Sequence, residues 1–344
     1  MEGFPIMKKT ITAIAACVAA VTMANTAQAS DVLIGSCIYK FDDTFMTGVR
    51  NNMIKAAEAV GAEIELVDSQ NRQPMQNDQV DTFITKGVNA LIINPVDRTA
   101  AGPLVDKALQ EDLPIVFINR EPDQSVLAKS DKAFYVGAKA EESGYIGGQL
   151  IADYYKAHKE ADKNGDGVLQ YILIKGEQGH QDATLRSEYC VKALQDAGLK
   201  IEEIGADNAN WDKVQGHDKM KNFITSKGID AIEAVICNND DMALGAIEAL
   251  KSEGYNTGKD ASKYIPVVGV DATAPALQAI AAGQMLGTSL NDAYNQGTAA
   301  VKIANAAAQG QAVTEETVGY KITDGKYVWI PYVKVTAENY KDFQ

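Results

Sequence analysis

From Asp31 onward, short runs of apolar residues alternate with longer segments that have helical periodicity. The first apolar run spans residues 32–39. The next segment, from Asp43 or Thr44 to Gly61, places apolar residues at helical spacing. A strand followed by a helix of about 10–15 residues is typical of βαβ units. We therefore predict an α/β fold with parallel sheets covered by helices.

This pattern occurs twice along the chain. It runs through residues 32–136 and begins again with a predicted helix over 141–157 and a strand over 171–174. One sheet does not need so many units, so two doubly wound parallel-sheet lobes are expected, with a boundary near Gly137. The length of 344 residues also agrees with about two domains. Each lobe would be long enough to bury its own core.

Residues 1–29 have the character of a signal peptide. A pair of lysines precedes an apolar stretch of small residues, and residues 27–29 form a small-x-small cleavage site. The stretch is too short to span a membrane. A lipoprotein signal ending at Cys17 would lie very early in the chain. We therefore expect export and cleavage after Ala29.

Charge and composition exclude several classes of function. The formal net charge is −14 and no long basic run occurs, which argues against nucleic acid and against an anionic membrane surface. A soluble monomer with a neutral or cationic ligand is expected. The sequence contains no G-x-S-x-G motif, no P-loop and no G-x-G-x-x-G motif.

The cysteines that follow the leader do not form a disulfide pattern. Cys37, Cys190 and Cys237 are odd in number and have no short spacing. We predict that they are buried and act as small hydrophobic residues.

Polar side chains stand where six of the expected strands end. They are Asp43, Asn119, the group His180, Asp182 and Arg186, then Asn239, Asp271 and Asn291. Any one of them could be ordinary turn or N-cap chemistry. However, open α/β sheets bind ligands at the carboxyl ends of their strands. Six such ends in one chain predict a polar cleft.

The segment from Gly176 to Arg186 concentrates this chemistry. It puts a histidine, an aspartate and an arginine within seven residues, directly after an apolar run. If Asp182 caps a helix, Arg186 lies one turn further along on the same side.

These residue types suit a sugar. A hydroxyl group offers one donor and two acceptor lone pairs, and planar Asp, Asn and Arg side chains can satisfy neighbouring hydroxyls in pairs. The apolar C–H faces of a sugar pack on aromatic rings. Phe45 and Trp211 are expected in loops near the cleft, although Phe45 could instead begin the apolar face of the first helix.

A second motif has the spacing of a calcium loop. Asp162, Asn164 and Asp166 occupy positions one, three and five of an EF-hand pattern, and Gly167 follows at position six. Val168 can offer its carbonyl and Gln170 fills position nine. Position twelve is Leu173 rather than Glu, so a bidentate carboxylate must come from elsewhere. An Asx-rich turn without metal is the alternative. The oxygen donors favour Ca²⁺, in a structural role.

Several segments together resemble the periplasmic galactose/glucose-binding proteins. In chain order they are IYKFDDTF, FINREP, DKNGDGVLQ, KGEQGHQDATLR, NWD, CNNDDMALGAIEAL, VVGVDA and LNDAYNQ. The resemblance covers essentially all of the chain after the leader. It implies a type I periplasmic binding protein, with two lobes joined by three crossing segments that close on one sugar. The implied lobes are residues 30–138 with 292–322, and residues 139–291 with 323–344.

The resemblance also implies the role of each site residue. The sugar contacts would be Asp43, Asn119, His180, Asp182, Arg186, Asn239, Asp271 and Asn291, with Phe45 and Trp211 on the two faces of the ring. The calcium ligands would be Asp162, Asn164, Asp166, the carbonyl of Val168, Gln170 and, as the missing carboxylate, Glu233. The implied partners are an inner-membrane sugar ABC importer and, in some relatives, a chemoreceptor.

Other functions remain open at this level. Ribose or another monosaccharide is the alternative ligand within binding proteins. The carboxylates near His180 would also suit a secreted glycoside hydrolase. A transcriptional regulator of similar architecture disagrees with the leader and the acidic charge.

Overall fold

The computed structural model describes residues 32–344, so the predicted signal peptide lies outside the described residues. The strands are β1 (Leu33–Ile38), β2 (Glu63–Asp68), β3 (Ala90–Ile93), β4 (Ile115–Ile118), β5 (Ala133–Gly137), β6 (Val168–Lys175), β7 (Lys200–Asn208), β8 (Ala234–Cys237), β9 (Val267–Val268), β10 (Gly287–Leu290), β11 (Tyr327–Trp329) and β12 (Val333–Thr336).

The helices lie between these strands. They are α1 (Thr44–Val60), α2 (Gln73–Lys86), α3 (Ala101–Gln110), α4 (Gln124–Leu127), α5 (Ala140–Ala157), α6 (Gln181–Asp196), α7 (Lys213–Lys227), α8 (Asp240–Ser252), α9 (Ala274–Ala281), α10 (Ala293–Ala308) and α11 (Glu315–Val318).

The strands form two six-stranded sheets, one in each lobe. The order is β11-β5-β4-β3-β1-β2 in the first lobe and β12-β10-β9-β8-β6-β7 in the second. All neighbouring pairs are parallel except β10 and β12, which are antiparallel. The prediction of two doubly wound parallel-sheet lobes is therefore confirmed.

The local sequence determines where helix α1 begins, where it ends and which of its faces is buried. The Asp43 carboxylate caps its start by accepting a hydrogen bond from the Met46 amide at 2.7 Å. Gly61 ends it in the left-handed region at φ 70°. The apolar face between them is fully buried at Val49 and Met53.

The core of each lobe lies on both faces of its sheet. Central strand residues such as Ile34, Ile92 and Val116 are completely buried, as parallel sheets require when helices cover both faces. Helix α10 packs against α1 in the first lobe, where Val301 belongs to the same apolar cluster as Ile34. The chain therefore returns to the first lobe after the second sheet is nearly complete.

The chain crosses between the sheets three times. The first crossing follows β5 and the second follows β10, near the expected boundaries 138/139 and 291/292. The third does not lie at 322/323. Strand β11 pairs with β5 in the first sheet, and only β12 joins the second. The assignment of all of 323–344 to the second lobe was therefore wrong, because a three-residue strand carries no local signal for the sheet it joins.

The prediction that the three cysteines after the leader are buried is confirmed. Cys37, Cys190 and Cys237 are buried and free of disulfides. Among residues 32–344, no helix has both the length and the apolar character needed to cross a membrane.

Candidate functional site: a polar cavity between the lobes

A cavity lies between the two lobes, where the carboxyl ends of the strands of both sheets meet. It encloses about 350 Å³ of space that is free of atoms, counted together with the open solvent at its mouth. All ten residues predicted for the sugar site line it, and they are Asp43, Phe45, Asn119, His180, Asp182, Arg186, Trp211, Asn239, Asp271 and Asn291. Tyr39, Met46 and Arg120 line it as well.

The Asp43 carboxylate is held from two sides. One oxygen accepts from the Met46 amide at 2.7 Å, and the other accepts from the Tyr39 hydroxyl at 2.6 Å. Each oxygen keeps a further lone pair. Asp43 is thus an oriented acceptor in the wall contributed by the first lobe.

Asn119 offers a donor from the same lobe. Its backbone lies in the left-handed region at φ 65°, and its side-chain oxygen accepts from Asn94 at 3.2 Å. This contact leaves its amide hydrogens for a ligand.

His180, rather than Asp182, caps helix α6. The His180 Nδ1 atom accepts a hydrogen bond from the Asp182 amide at 3.1 Å. The expectation that Asp182 is the cap was wrong, since a neutral imidazole can accept in the same way. Burial lowers the pKa of His180 well below its ordinary value, and Arg120 and Arg186 add to the effect. The ring is therefore neutral, and its Nε2 atom carries the proton and acts as a donor.

Asp182 and Arg186 form a buried pair one helical turn apart. The Arg186 guanidinium lies 3.2 Å from the Asp182 carboxylate. It also donates to the Asn238 carbonyl at 2.7 Å and to the Tyr332 hydroxyl at 3.0 Å. Its Nε atom is buried and has no hydrogen-bond partner among residues 32–344. Burial raises the pKa of Asp182, and Arg186 opposes this shift.

Asp271 and Asn291 form a second polar pair. The Asn291 amide donates to Asp271 at 3.2 Å, and its oxygen accepts from Gln296 at 2.5 Å. Asp271 holds a positive φ of 123°, which is strained for a residue other than glycine. Burial raises the pKa of Asp271 well above its ordinary value, Arg186 opposes this, and Asp240 adds to it.

The two aromatic side chains predicted for the sugar site come from opposite lobes. Phe45 lies in the first turn of α1, so of the two alternatives the start of the apolar face is confirmed, and the side chain both joins the apolar core and lines the cavity. Trp211 lies in the turn before α7, with φ 63°. The Asn239 amide donates to the Trp211 carbonyl at 3.2 Å. Within the part of the chain that the structure describes, the buried Trp211 Nε1 atom has no hydrogen-bond partner.

Three lining residues were not predicted. Tyr39 ends the first apolar run, Met46 belongs to the apolar face of α1, and Arg120 follows Asn119 directly. Only Arg120, a charged residue at a strand end, carried a signal that could have revealed it. Tyr39 and Met46 look like core residues in the sequence.

Hydrogen bonds across the cleft hold the lobes together. Thr44 donates to Asp241 at 2.7 Å on one side of the cavity. On the other side Gln181 donates to Glu121 at 3.2 Å. The structure is therefore a closed form, in which residues of both lobes surround one cavity.

The predicted calcium loop lies away from this cavity. Both oxygens of Asp162 accept from backbone amides of the loop, at Gly165 and Gly167. The buried Glu233 carboxylate enters from the residue before β8 and accepts from the Lys163 and Gln170 amides at 2.6 and 3.1 Å. Five of the six predicted ligands lie on this loop, and the sixth, Glu233, contacts it through these two amides; the five are Asp162, Asn164, Asp166, Val168 and Gln170.

The donor set of this loop fits a hard cation. Burial raises the pKa of Glu233, and the carboxylates of Asp162 and Asp166 raise it further. A cation would relieve this repulsion. Within residues 32–344, however, no group of three or more His, Cys, Asp or Glu side chains has a metal-binding arrangement by itself. Amide and carbonyl oxygens would have to complete the site.

Comparison with known proteins defines the class. Residues 34–312 match the periplasmic binding protein domain family. The D-galactose/methyl-galactoside binding periplasmic protein MglB of Haemophilus influenzae is 42% identical over 98% of this chain and 99% of its own. The ribose import binding protein RbsB of Salmonella typhimurium is 27% identical over 89% of this chain and 95% of its own.

A solved structure agrees with the fold. An ABC transporter solute-binding protein from Bacillus halodurans C-125, with bound myo-inositol, superposes with a TM-score of 0.74 at 31% identity. The match covers 92% of this chain and 99% of that chain.

The chain belongs to the periplasmic binding protein family. The class that fold, cleft and relatives define is the periplasmic sugar-binding protein of the ABC-importer type. Proteins of this family bind solutes and are not enzymes, so the glycoside hydrolase alternative is dropped.

Proposed function

We propose that this protein binds D-galactose and D-glucose in the cavity between its lobes. The observation that carries the proposal is the lining of that cavity, which combines buried planar polar groups with Phe45 of the first lobe and Trp211 of the second. Asp43, Asp182 and Asp271 supply acceptors, while Asn119, His180 and Arg186 supply donors. The identity of 42% with a galactose-binding relative supports this ligand class.

The arrangement suits hydroxyl groups rather than an ionic ligand. The acidic side chains are already balanced in part by Arg186 and by Arg120. A neutral sugar adds no charge to this buried site, whose polar groups would otherwise stay partly unsatisfied. Asp43 can accept from a hydroxyl in either epimeric position, which favours tolerance of both hexoses.

Binding would work by closure of the lobes. Asp43 and Asn119 lie on the first lobe, whereas His180, Asp182 and Arg186 lie on the second. Only the closed state brings these two half-sites together, so the sugar binds that state more tightly and shifts the population toward it.

A titration of the mature protein with galactose, glucose and ribose tests the proposal. The chain has two tryptophans, Trp211 in the cavity wall and Trp329 in β11, so a Trp329→Phe variant isolates the first. Trp211 fluorescence should change on addition of galactose and of glucose. Preferential binding of ribose would support the alternative suggested by the ribose-binding relative. Absence of binding to all three sugars would contradict the proposal.

The partners follow from this function. We expect a monomer that delivers its sugar to an inner-membrane ABC importer, and a chemoreceptor is a further proposed partner. Export with cleavage after Ala29 is also proposed, and N-terminal sequencing of the secreted protein would test it.

We also propose a structural Ca²⁺ in the loop of residues 162–170. Asp162, Asn164, Asp166, the Val168 carbonyl, Gln170 and Glu233 would hold it. The support is the buried Glu233 carboxylate, which accepts from two backbone amides and whose pKa the carboxylates of Asp162 and Asp166 raise. A bound cation would tie the loop to the start of β8.

A further inference from the structure

Arg120 lies in the wall of the cavity and is not one of the predicted sugar contacts. It follows Asn119 at the end of β4, and only 4% of its side chain is exposed. Its guanidinium stacks over the Tyr39 ring at 3.8 Å and donates to the Val96 carbonyl at 2.7 Å. These contacts hold Arg120 firmly on the first lobe.

The same guanidinium reaches the second lobe. Arg120 lies 3.2 Å from the carboxylate of Glu177, which stands in the loop between β6 and α6. The other oxygen of Glu177 accepts from Asn71 of the first lobe at 3.4 Å. Both oxygens of this one carboxylate are therefore engaged by the opposite lobe.

No other ion pair within residues 32–344 joins the two lobes. The remaining contacts across the cleft are hydrogen bonds with at least one neutral group, such as Thr44 with Asp241 and Gln181 with Glu121. Because Arg120 is buried and Glu177 is 22% exposed, water and salt screen this pair less than they screen surface pairs.

Arg120 is also linked to the ligand site through Tyr39. The Tyr39 ring lies under the guanidinium, and the Tyr39 hydroxyl donates to Asp43 at 2.6 Å. A continuous set of contacts therefore runs from Glu177 through Arg120 and Tyr39 to the Asp43 carboxylate in the cavity.

We propose that Arg120 is a positioning residue that retains the sugar by joining the closed lobes through Glu177 and by supporting Tyr39 against Asp43. This inference rests on the proposed sugar-binding function. Opening of the lobes must separate Arg120 from Glu177 before the sugar can leave. Loss of the pair therefore speeds release, while capture by the open form, in which the pair is not yet made, changes little.

Stopped-flow measurement of Trp211 fluorescence tests the proposal with galactose and glucose. Glu177→Gln should raise the dissociation rate about tenfold and leave the association rate within about twofold. Arg120→Met should raise the dissociation rate at least as much. Arg120→Lys, which keeps the charge, should restore part of the loss. Asp106→Asn is the matched control, because Asp106 pairs with Lys129 inside the first lobe at 2.9 Å.

The double variant distinguishes a shared pair from independent effects. Arg120→Met with Glu177→Gln should release sugar no faster than Arg120→Met alone, since both changes remove one interaction. The ligand-free Glu177→Gln protein should keep the thermal midpoint of the wild type.

Two results would overturn the role of Arg120. One is a Glu177→Gln protein that releases sugar at the wild-type rate. The other is a large effect of Arg120→Met that Glu177→Gln does not share, which would mean direct contact with the sugar. If Arg120→Met does not fold, the dissociation rate of the Glu177→Gln protein alone tests the proposal. Failure of the wild type to bind any of the sugars would instead contradict the proposed function.

Discussion

Gly176 and Trp211 fit together so closely that any side chain at position 176 would collide with the tryptophan ring. A Cβ atom built on Gly176 would lie 2.2 Å from the Trp211 ring, although the two residues are 35 positions apart. Gly176 directly follows β6, and its amide donates to Asn238 at 3.0 Å. The absence of a side chain at the strand end thus makes room for the aromatic wall of the cavity.

Gly176→Ala should weaken sugar binding by at least about tenfold. The added methyl group must push the Trp211 ring toward the cavity, and overpacking of this kind costs about 1–3 kcal/mol. Calorimetric titration with galactose would measure the loss. Gly147→Ala is a suitable control, because its nearest heavy atoms would be 3.6 Å away. Unchanged affinity in Gly176→Ala would show that the ring does not contact the ligand.

Arg186→Ala should abolish sugar binding and destabilise the protein by about 3–5 kcal/mol. The change leaves the buried Asp182 and Asp271 carboxylates without their cation. Chemical denaturation would give the free energy of unfolding. Lys192→Ala provides the control, since Lys192 pairs with Asp196 at the same spacing on the same helix but at the surface. That exposed pair should contribute little to stability, because solvent screens it.

The buried Asp240 carboxyl should make stability fall as pH rises from about 4 to about 7. Burial raises the pKa of Asp240 from 3.8 to about 7, and Asp241 adds to this, while hydrogen bonds from Thr288 and Thr273 oppose it. The folded state then holds a proton that the unfolded state releases earlier, so stabilisation present at low pH is lost through this window. The upper limit is about 4 kcal/mol, at about 1.4 kcal/mol for each pKa unit.

Asp240→Asn isolates this effect. An amide can still accept from the Thr273 amide and donate to the Thr288 hydroxyl, so the fold should be kept. The difference in the free energy of unfolding, wild type minus variant, should decrease as the pH rises from about 4 to about 7. Asp196→Asn should show no such fall, because the Lys192 side chain lowers the pKa of Asp196 below its ordinary value, so that this carboxyl titrates below the window. A pH-independent difference for Asp240→Asn would contradict the prediction.

Calcium should raise the thermal midpoint by several degrees. Binding at 100 times the dissociation constant stabilises the folded state by about 2.7 kcal/mol. Differential scanning calorimetry with and without a chelator would measure the shift. Glu233→Gln should remove most of the effect, whereas Asp260→Asn, in a loop where Asp260 accepts from the Ser262 amide, should keep it. A thermal midpoint that changes with neither calcium nor chelator would argue for an Asx-rich turn without metal.

Much of the site was predictable because its residues stand at strand ends. Parallel strands bring their carboxyl ends to one edge of a sheet, so Asn119, Asn239 and Asn291 could be grouped without knowing any distance. Turn-forming and capping preferences placed Asp43 at the start of α1 in the same way. Tyr39 and Met46 could not be recognised, because a buried apolar pattern does not tell which atoms of a core residue face a cavity.

The amino-acid sequence by itself determined the alternation of strands and helices, their division into two lobes and the polar character of the strand ends. These properties depend on periodicity, caps and turns, which act over a few residues. Tertiary structure alone decided that β11 joins the first sheet, that Tyr332 reaches Arg186 across 146 positions and that Glu177 meets Arg120 across the cleft. Such contacts depend on how the lobes close, and no local pattern encodes the distance between residues that only closure brings together.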